Sequence, residues 1–196
     1  NANVQSNFES SVPSSRGSTS ETPEMLTQYA GPTWNFAWVR KSNLFIDRIE
    51  NKAKPLITDE QYKHWMGVAR FFRGFEYHRL VSVFGDVPYY DKLFSEKDYD
   101  EMYKDRTPRG EVMDNVYDDL KYAYENIRLN DGDNVLNKYI AAGFITRIML
   151  FEGTWQKYHN NDAARAQKYL QFAIEAGDFV INSGKYDIDT DFRSLF

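Results

Sequence analysis

Along this chain apolar residues recur three and four positions apart in five separated stretches, the period of a helix with one buried face. The clearest opens at Thr58. Thr58 and Gln61 have the spacing of a capping box, in which each side chain satisfies an otherwise unpaired N–H of the first turn. Trp65, Val68, Phe72 and Phe75 then form one stripe, widened by Phe71, Leu80, Val81 and Phe84, so this helix is expected to be central. Gly85 and Pro88 end it. Before it, a helix from about Thr33 to Ala53 carries Trp38, Phe45 and Ile49 at helical spacing, with Pro55 just beyond its end. After it, Thr107-Pro108 opens a third helix, where proline in the first position loses nothing because that N–H has no partner. Its Val112, Val116, Leu120, Ala123 and Ile127 share one face. A fourth helix covers roughly Lys138–Glu152, with Ala141, Ile145 and Ile148 on one side. The fifth covers roughly Asp162–Asn182 and carries Ala163, Ala166, Leu170, Ala173, Gly177 and Ile181, with Gly184 where a left-handed cap belongs. Residues 9–23 are Ser-rich and read as an exposed loop, residues 86–106 as a long loop holding Tyr89-Tyr90-Asp91, and residues 130–134 as a turn. No convincing strand pair appears.

Two of these helices share a finer pattern. Val116, Leu120 and Ala123 have the same spacing as Ala166, Leu170 and Ala173, fifty residues further on. Small, large, small is the order found in the second helix of a tetratricopeptide (TPR) hairpin, where small side chains let neighbouring helices approach closely. The fold class expected is therefore all-α, TPR-like stacked helical hairpins with long loop insertions, and an unrelated helical bundle is the alternative. Such stacks usually serve as binding scaffolds.

Composition narrows the function. The net charge is -5 and Lys and Arg are interleaved with Asp and Glu, which argues against nucleic acid as a partner. Fourteen Tyr, 14 Phe and 4 Trp exceed what a core of this size calls for, leaving aromatic rings for the surface. Cysteine is absent, which removes disulfides, thiolate chemistry and Cys-ligated zinc. His64, His78 and His159 fall in no metal-ligand pattern and read as surface or packed structural residues. Asp131-x-Asp133 starts like a calcium loop, but the sixth position is not Gly and the twelfth is Ala142, so a solvated turn is the reading. Asp118 and Asp119 read as a solvated helix face. Arg70, Arg73, Glu76 and Arg79 on the apolar second helix read as structural charges paired against other helix ends, with Arg73 and Glu76 close enough in sequence to pair. No nucleophile elbow, Walker loop or dinucleotide fingerprint occurs, so no enzyme activity, cofactor or metal is expected.

One block is distinctive. Gly67-Val-Ala-Arg-Phe-Phe-Arg-Gly-Phe-Glu-Tyr-His-Arg-Leu-Val-Ser-Val-Phe-Gly-Asp-Val-Pro88 resembles a helix and Phe-Gly-Asp-x-Pro turn of the SusD/RagB family of outer-membrane nutrient-uptake lipoproteins. Supporting matches are the Arg40-x-x-Asn43 motif, Arg106-Thr-Pro-Arg-Gly-Glu111, Tyr117-Asp-Asp-Leu120, Phe151-Glu-Gly-Thr-Trp-Gln-Lys-Tyr-His159, Ser183-Gly-Lys-Tyr186 and Ser194-Leu-Phe196. The resemblance implies a TPR-containing fold, a lipid anchor at the bacterial cell surface, and pairing with a SusC-like TonB-dependent transporter that receives captured glycan or peptide. It also implies that residues 1–196 are a single helical domain from the N-terminal part of a longer protein.

Sugar rings stack their apolar faces on flat aromatic side chains while their hydroxyls take polar partners. The ligand-binding candidates are Tyr29 and Trp34 with Asn35 beside them, followed by Tyr89 and Tyr90. Trp34 is either an exposed platform after Gly31-Pro32 or the first core residue of its helix. Trp155 and Tyr158 are expected to plug a hairpin loop. Three functions are thus in view: capture of an oligosaccharide, a TPR-type protein adaptor without a sugar site, and a glycosidase. The last requires paired carboxylates across a cleft, and no pair stands out.

Overall fold

A computed structural model of the chain describes residues 34–94, 97–132, 134–187 and 193. Tyr29, the Ser-rich stretch 9–23, Asp133 and the 194–196 motif lie outside the described residues.

The chain is all-α. Five long helices run among the described residues: α1 (Ala37–Arg48), α2 (Asp59–Phe84), α3 (Arg109–Asn126), α4 (Lys138–Trp155) and α5 (Ala163–Ile181). Their ends follow local chemistry. Thr58 and Gln61 form the capping box at α2, with Gln61 N–H donating to Thr58 Oγ1 at 3.2 Å and Thr58 N–H to Gln61 Oε1 at 2.9 Å. Gly85 ends that helix at φ +69°, a left-handed backbone favouring glycine. Asn137 caps α4 and Asp162 caps α5, each accepting from the N–H three residues on. Pro108 stands one residue ahead of α3 rather than at its first position. The last turn of the expected first helix, Ile49–Ala53, is π-helical, and α4 continues beyond its expected end as a second π-helical turn, Gln156–Asn160.

The helices pair as two hairpins, α2 with α3 and α4 with α5, stacked around a common core, while α1 packs on α2. The small-large-small repeat is explained by this pairing. Leu120 of α3 lies over Gly74 of α2, where an added Cβ would sit 3.3 Å from the leucine side chain. Leu170 of α5 lies over Gly153 of α4, where a Cβ would sit 2.7 Å away. In each hairpin the large residue of the second helix occupies the space a glycine leaves in the first. The expected faces Val112/Val116/Leu120/Ala123/Ile127 and Ala141/Ile145/Ile148 are fully buried.

Other expected faces are turned. Trp38 and Phe45 of α1 are exposed, and the helix buries Val39, Ser42 and Asn43 instead. Trp65 and Phe72 of α2 are likewise exposed, whereas Arg73, Gly74 and Tyr77 face inward. Ile181 at the end of α5 is exposed.

Polar burial accounts for these rotations. Asp119 is buried, not solvated, and takes a two-pronged ion pair from Arg73, Nε to Oδ2 and Nη2 to Oδ1, both at 2.7 Å. Glu76 pairs with Arg79 rather than with Arg73. A second buried pair joins Arg109 of α3 to Glu152 of α4 at 2.7 Å, with Trp155 stacked 3.8 Å from the Arg109 guanidinium. Trp155 therefore covers an ion pair, and Tyr158 is exposed and plugs nothing. His64 is a packed structural histidine, accepting from Arg128 N–H and contacting Asp131.

Candidate functional site

The long loop after α2 does not wander. Thr107 N–H donates to Val87 O at 3.0 Å, forming an isolated antiparallel bridge that closes the loop on itself. Its first arm is fastened to the helices by buried side chains. Tyr77 of α2 exchanges hydrogen bonds with the backbone N–H and C=O of Tyr90. Asn43 of α1 donates to Tyr90 O at 2.9 Å and Lys92 O at 3.3 Å. Arg73, already paired with Asp119, reaches Asn43 Oδ1 at 3.1 Å and Asp91 O at 2.9 Å. Burial pushes the Tyr77 and Tyr89 hydroxyls well above the usual phenol range, so both stay protonated.

Between this fastened loop and the start of α1 lies a pocket of about 450 Å³. Its aromatic wall comprises Trp34, Phe36, Tyr90, Phe94 and Tyr103. Trp34 meets Phe36 and Phe84 edge-on at 5.4 and 5.1 Å, and Arg106 lies over its ring at 4.8 Å. It remains 46% exposed, so it belongs to the pocket wall and not to the core. Phe36 meets Tyr90 edge-on at 5.5 Å, and Tyr90 meets Phe94 at 5.4 Å. The Tyr90 hydroxyl donates to Met102 O at 2.7 Å, tying the pocket floor to the short helical turn Tyr99–Met102. From that turn Tyr103 projects to the rim, 78% exposed and stacked nearly parallel on Tyr99 with ring centres 6.2 Å apart.

The candidates named from sequence therefore divide. Trp34 and Tyr90 share the pocket. Tyr89 turns inward onto Tyr77, ring centres 4.7 Å apart, and is not among the lining residues. Asn35 spends its side-chain oxygen on Ala37 N–H at 2.8 Å, at the start of α1, and does not line the pocket either. Phe36, Phe94 and Tyr103 are additions. A signal for Tyr103 existed: tyrosines at 99 and 103, one helical turn apart in an acidic stretch, are too sparse an apolar pattern to be buried. Among the described residues no group of three or more His, Asp or Glu could hold a metal ion, and no helix is long and apolar enough to cross a membrane.

Comparison with known proteins decides the family. Residues 2–150 match the SusD-like family described as "Starch-binding associating with outer membrane". The chain belongs to the SusD-like family. A SusD-like protein P2 of Formosa agariphila is 32% identical over 148 residues, covering 72% of this chain and 26% of that protein. A SusD-like protein of Bacteroides ovatus is 22% identical over 162 residues, covering 82% of this chain and 28% of that one. The chain thus spans little more than a quarter of these relatives' length. Among solved structures, a SusD homologue from Bacteroides thetaiotaomicron superposes with a TM-score of 0.62 at 20% identity, covering 95% of this chain and 33% of that one. A further solved structure, described as being with xylogluco-oligosaccharide, gives a TM-score of 0.66 at 18% identity, covering 91% of this chain and 36% of that one. These likenesses establish a SusD-like fold. Within it, the motifs that carried the resemblance are chiefly the buried struts: Arg73, Asp119, Asn43, Arg109 and Glu152.

Proposed function

We propose that the pocket bounded by Trp34, Tyr90 and Tyr103 binds an oligosaccharide, and that this SusD-like chain captures glycan outside the cell for import. The observation that carries the reading is an aromatic-walled cavity of about 450 Å³ with a half-exposed tryptophan at one side and a tyrosine pair at its rim. Its size lies within the roughly 300–1,000 Å³ of small-ligand pockets. Rings held edge-on by their neighbours offer flat faces at little entropic cost, which suits the C–H faces of sugars. The family's description as starch-binding, and a similar fold solved with a xylogluco-oligosaccharide, support the same reading. In this account the protein is lipid-anchored at the outer-membrane surface and hands its cargo to a SusC-like TonB-dependent transporter.

Titration calorimetry against an oligosaccharide panel tests the pocket. Millimolar-to-micromolar binding to at least one glycan is expected, lost in Trp34→Ala and Tyr103→Ala. Binding that survives both substitutions would remove the pocket from the account.

A second reading, a protein adaptor, is favoured by one feature. Phe72, Ile140 and Phe144 border an exposed apolar groove of about 370 Å³ between α2 and α4. Capture of a protein partner abolished by Phe72→Asp, with no response to any carbohydrate, would establish it instead.

A further inference from the structure

The pocket's polar lining is one-sided. Its charged side chains are Arg40 from α1 and Lys92 from the loop, and no carboxylate lines it among the described residues, although the chain as a whole carries a net charge of -5. Two more cations lie on its aromatic rings: Arg106 over Trp34 at 4.8 Å and Lys104 over Tyr90 at 5.3 Å. Lys92 also sits 5.6 Å over Phe94. None of the four forms an ion pair with a carboxylate among the described residues. Cation–π contact places Lys92, Lys104 and Arg106 beside the rings yet leaves their N–H donors available, and Arg40 lines the pocket without such a contact.

The side-chain acceptors, by contrast, are few and uncharged. Asn43 uses its amide nitrogen on Tyr90 O and Lys92 O, and its oxygen takes Arg73. The Tyr90 hydroxyl donates to Met102 O, which leaves its oxygen and the exposed Tyr103 hydroxyl as neutral acceptors. The tyrosine oxygens can accept from a neutral sugar's hydroxyls, but such a sugar offers the surrounding cations no anion. A ligand rich in negative acceptors matches the lining, because charge-assisted hydrogen bonds to Arg and Lys are the stronger kind.

We propose that this pocket selects an acidic oligosaccharide, one whose sugar rings carry sulfate esters or carboxylates. The inference rests on the reading that the pocket binds glycan. In it, aromatic faces hold the rings while Arg40 and Lys92 take the anionic substituents.

The test is calorimetry with two matched pairs: a sulfated galactan oligosaccharide against its desulfated form, and a polyuronate oligosaccharide against its carboxyl-reduced form. One acidic member should bind at least about tenfold more tightly than its neutral counterpart, and its identity distinguishes sulfate from carboxylate recognition. Arg40→Ala and Lys92→Ala should each weaken that binding roughly tenfold, whereas Arg48→Ala, an exposed cation on the same helix outside the pocket, should not. Raising the salt should weaken the acidic ligand and leave neutral ones unaffected. Arg40 and Lys92 are exposed, so their loss should not unfold the chain, and unchanged thermal melting would verify this. Equal binding of acidic and neutral partners, indifferent to Arg40 and Lys92 but lost in Trp34→Ala, would overturn the acidic preference and leave glycan binding standing. No binding of any glycan would overturn both.

Discussion

Removing the Asp119 carboxylate should destabilise this chain more than a surface charge ever could. Both partners are almost fully buried: the Arg73 and Asp119 side chains are 8% and 4% exposed. Asp119→Ala leaves a guanidinium in the core with two of its donors unanswered, since Nε and Nη2 both point at the lost oxygens at 2.7 Å. Breaking one side of a buried pair typically costs about 3–5 kcal/mol. At roughly 2–4 °C per kcal/mol for a chain of this size, melting should fall by about 10 °C. Replacing the pair together, as Arg73→Met with Asp119→Leu, removes the orphaned charge. What remains lost is the bonding of Arg73 to Asn43 Oδ1 and Asp91 O, about 1 kcal/mol each. The double variant should therefore be more stable than Asp119→Ala alone by about 2 kcal/mol. Asp118→Ala, on the neighbouring exposed carboxylate, should stay within about 0.5 kcal/mol of the parent. Urea unfolding followed by circular dichroism reads all four proteins. A loss below about 1 kcal/mol for Asp119→Ala, equal to that of Asp118→Ala, would refute the role assigned to the buried pair.

Further outcomes follow from the hairpins and from the half-buried His78. Gly153→Ala should cost about 1–3 kcal/mol, because its Cβ would meet Leu170 Cγ at 2.7 Å. Gly143→Ala in the same helix meets nothing within 4 Å and should gain about 0.5–1 kcal/mol from helix propensity. Equal effects in urea melts would contradict the close approach of α4 and α5. His78, between α2 and α4, is held down to about 4, chiefly by burial and further by Arg109 and Arg147, against the pull of Glu152. The unfolded chain, with a histidine near the ordinary value of about 6.5, takes up the proton first. Stability should therefore fall as pH drops below about 6.5 and level off below about 4. Between pH about 7 and 5 the loss attributable to His78 should be about 2 kcal/mol. His78→Leu should flatten that part of the profile, and an identical slope in both proteins would assign the acid sensitivity elsewhere.

The five helices were legible from their apolar period, and at α2 the end signals agree with it: Thr58 with Gln61 opens that helix and Gly85 closes it. Faces were harder. Periodicity weighs apolar residues, but α1 and α2 turn Asn43, Arg73 and Gly74 inward, where hydrogen bonding and close approach outweigh the transfer energy of Trp38, Phe45, Trp65 and Phe72. Partners for buried charges lie far along the chain. Arg73 finds Asp119 and Arg109 finds Glu152, and no local spacing pairs them. Of the site, Trp34 and Tyr90 were readable from their place beside Gly31-Pro32 and the Gly-Asp-Val-Pro turn. Adjacent tyrosines in a loop send their side chains to different sides, and which of Tyr89 and Tyr90 enters the pocket depends on Tyr77 and Asn43 gripping the backbone between them. Phe94 and Tyr103 join the wall only once the Val87–Thr107 bridge has folded the loop.

Glycan binding at Trp34 is tested most directly by tryptophan fluorescence during an oligosaccharide titration. A sugar stacked on Trp34 should give a saturable change in emission that disappears in Trp34→Phe. The change should persist in Trp38→Phe, whose ring is exposed on α1 outside the pocket. No saturable change with any acidic or neutral glycan, or a change that persists in Trp34→Phe and is lost in Trp38→Phe, would contradict the assignment of this pocket.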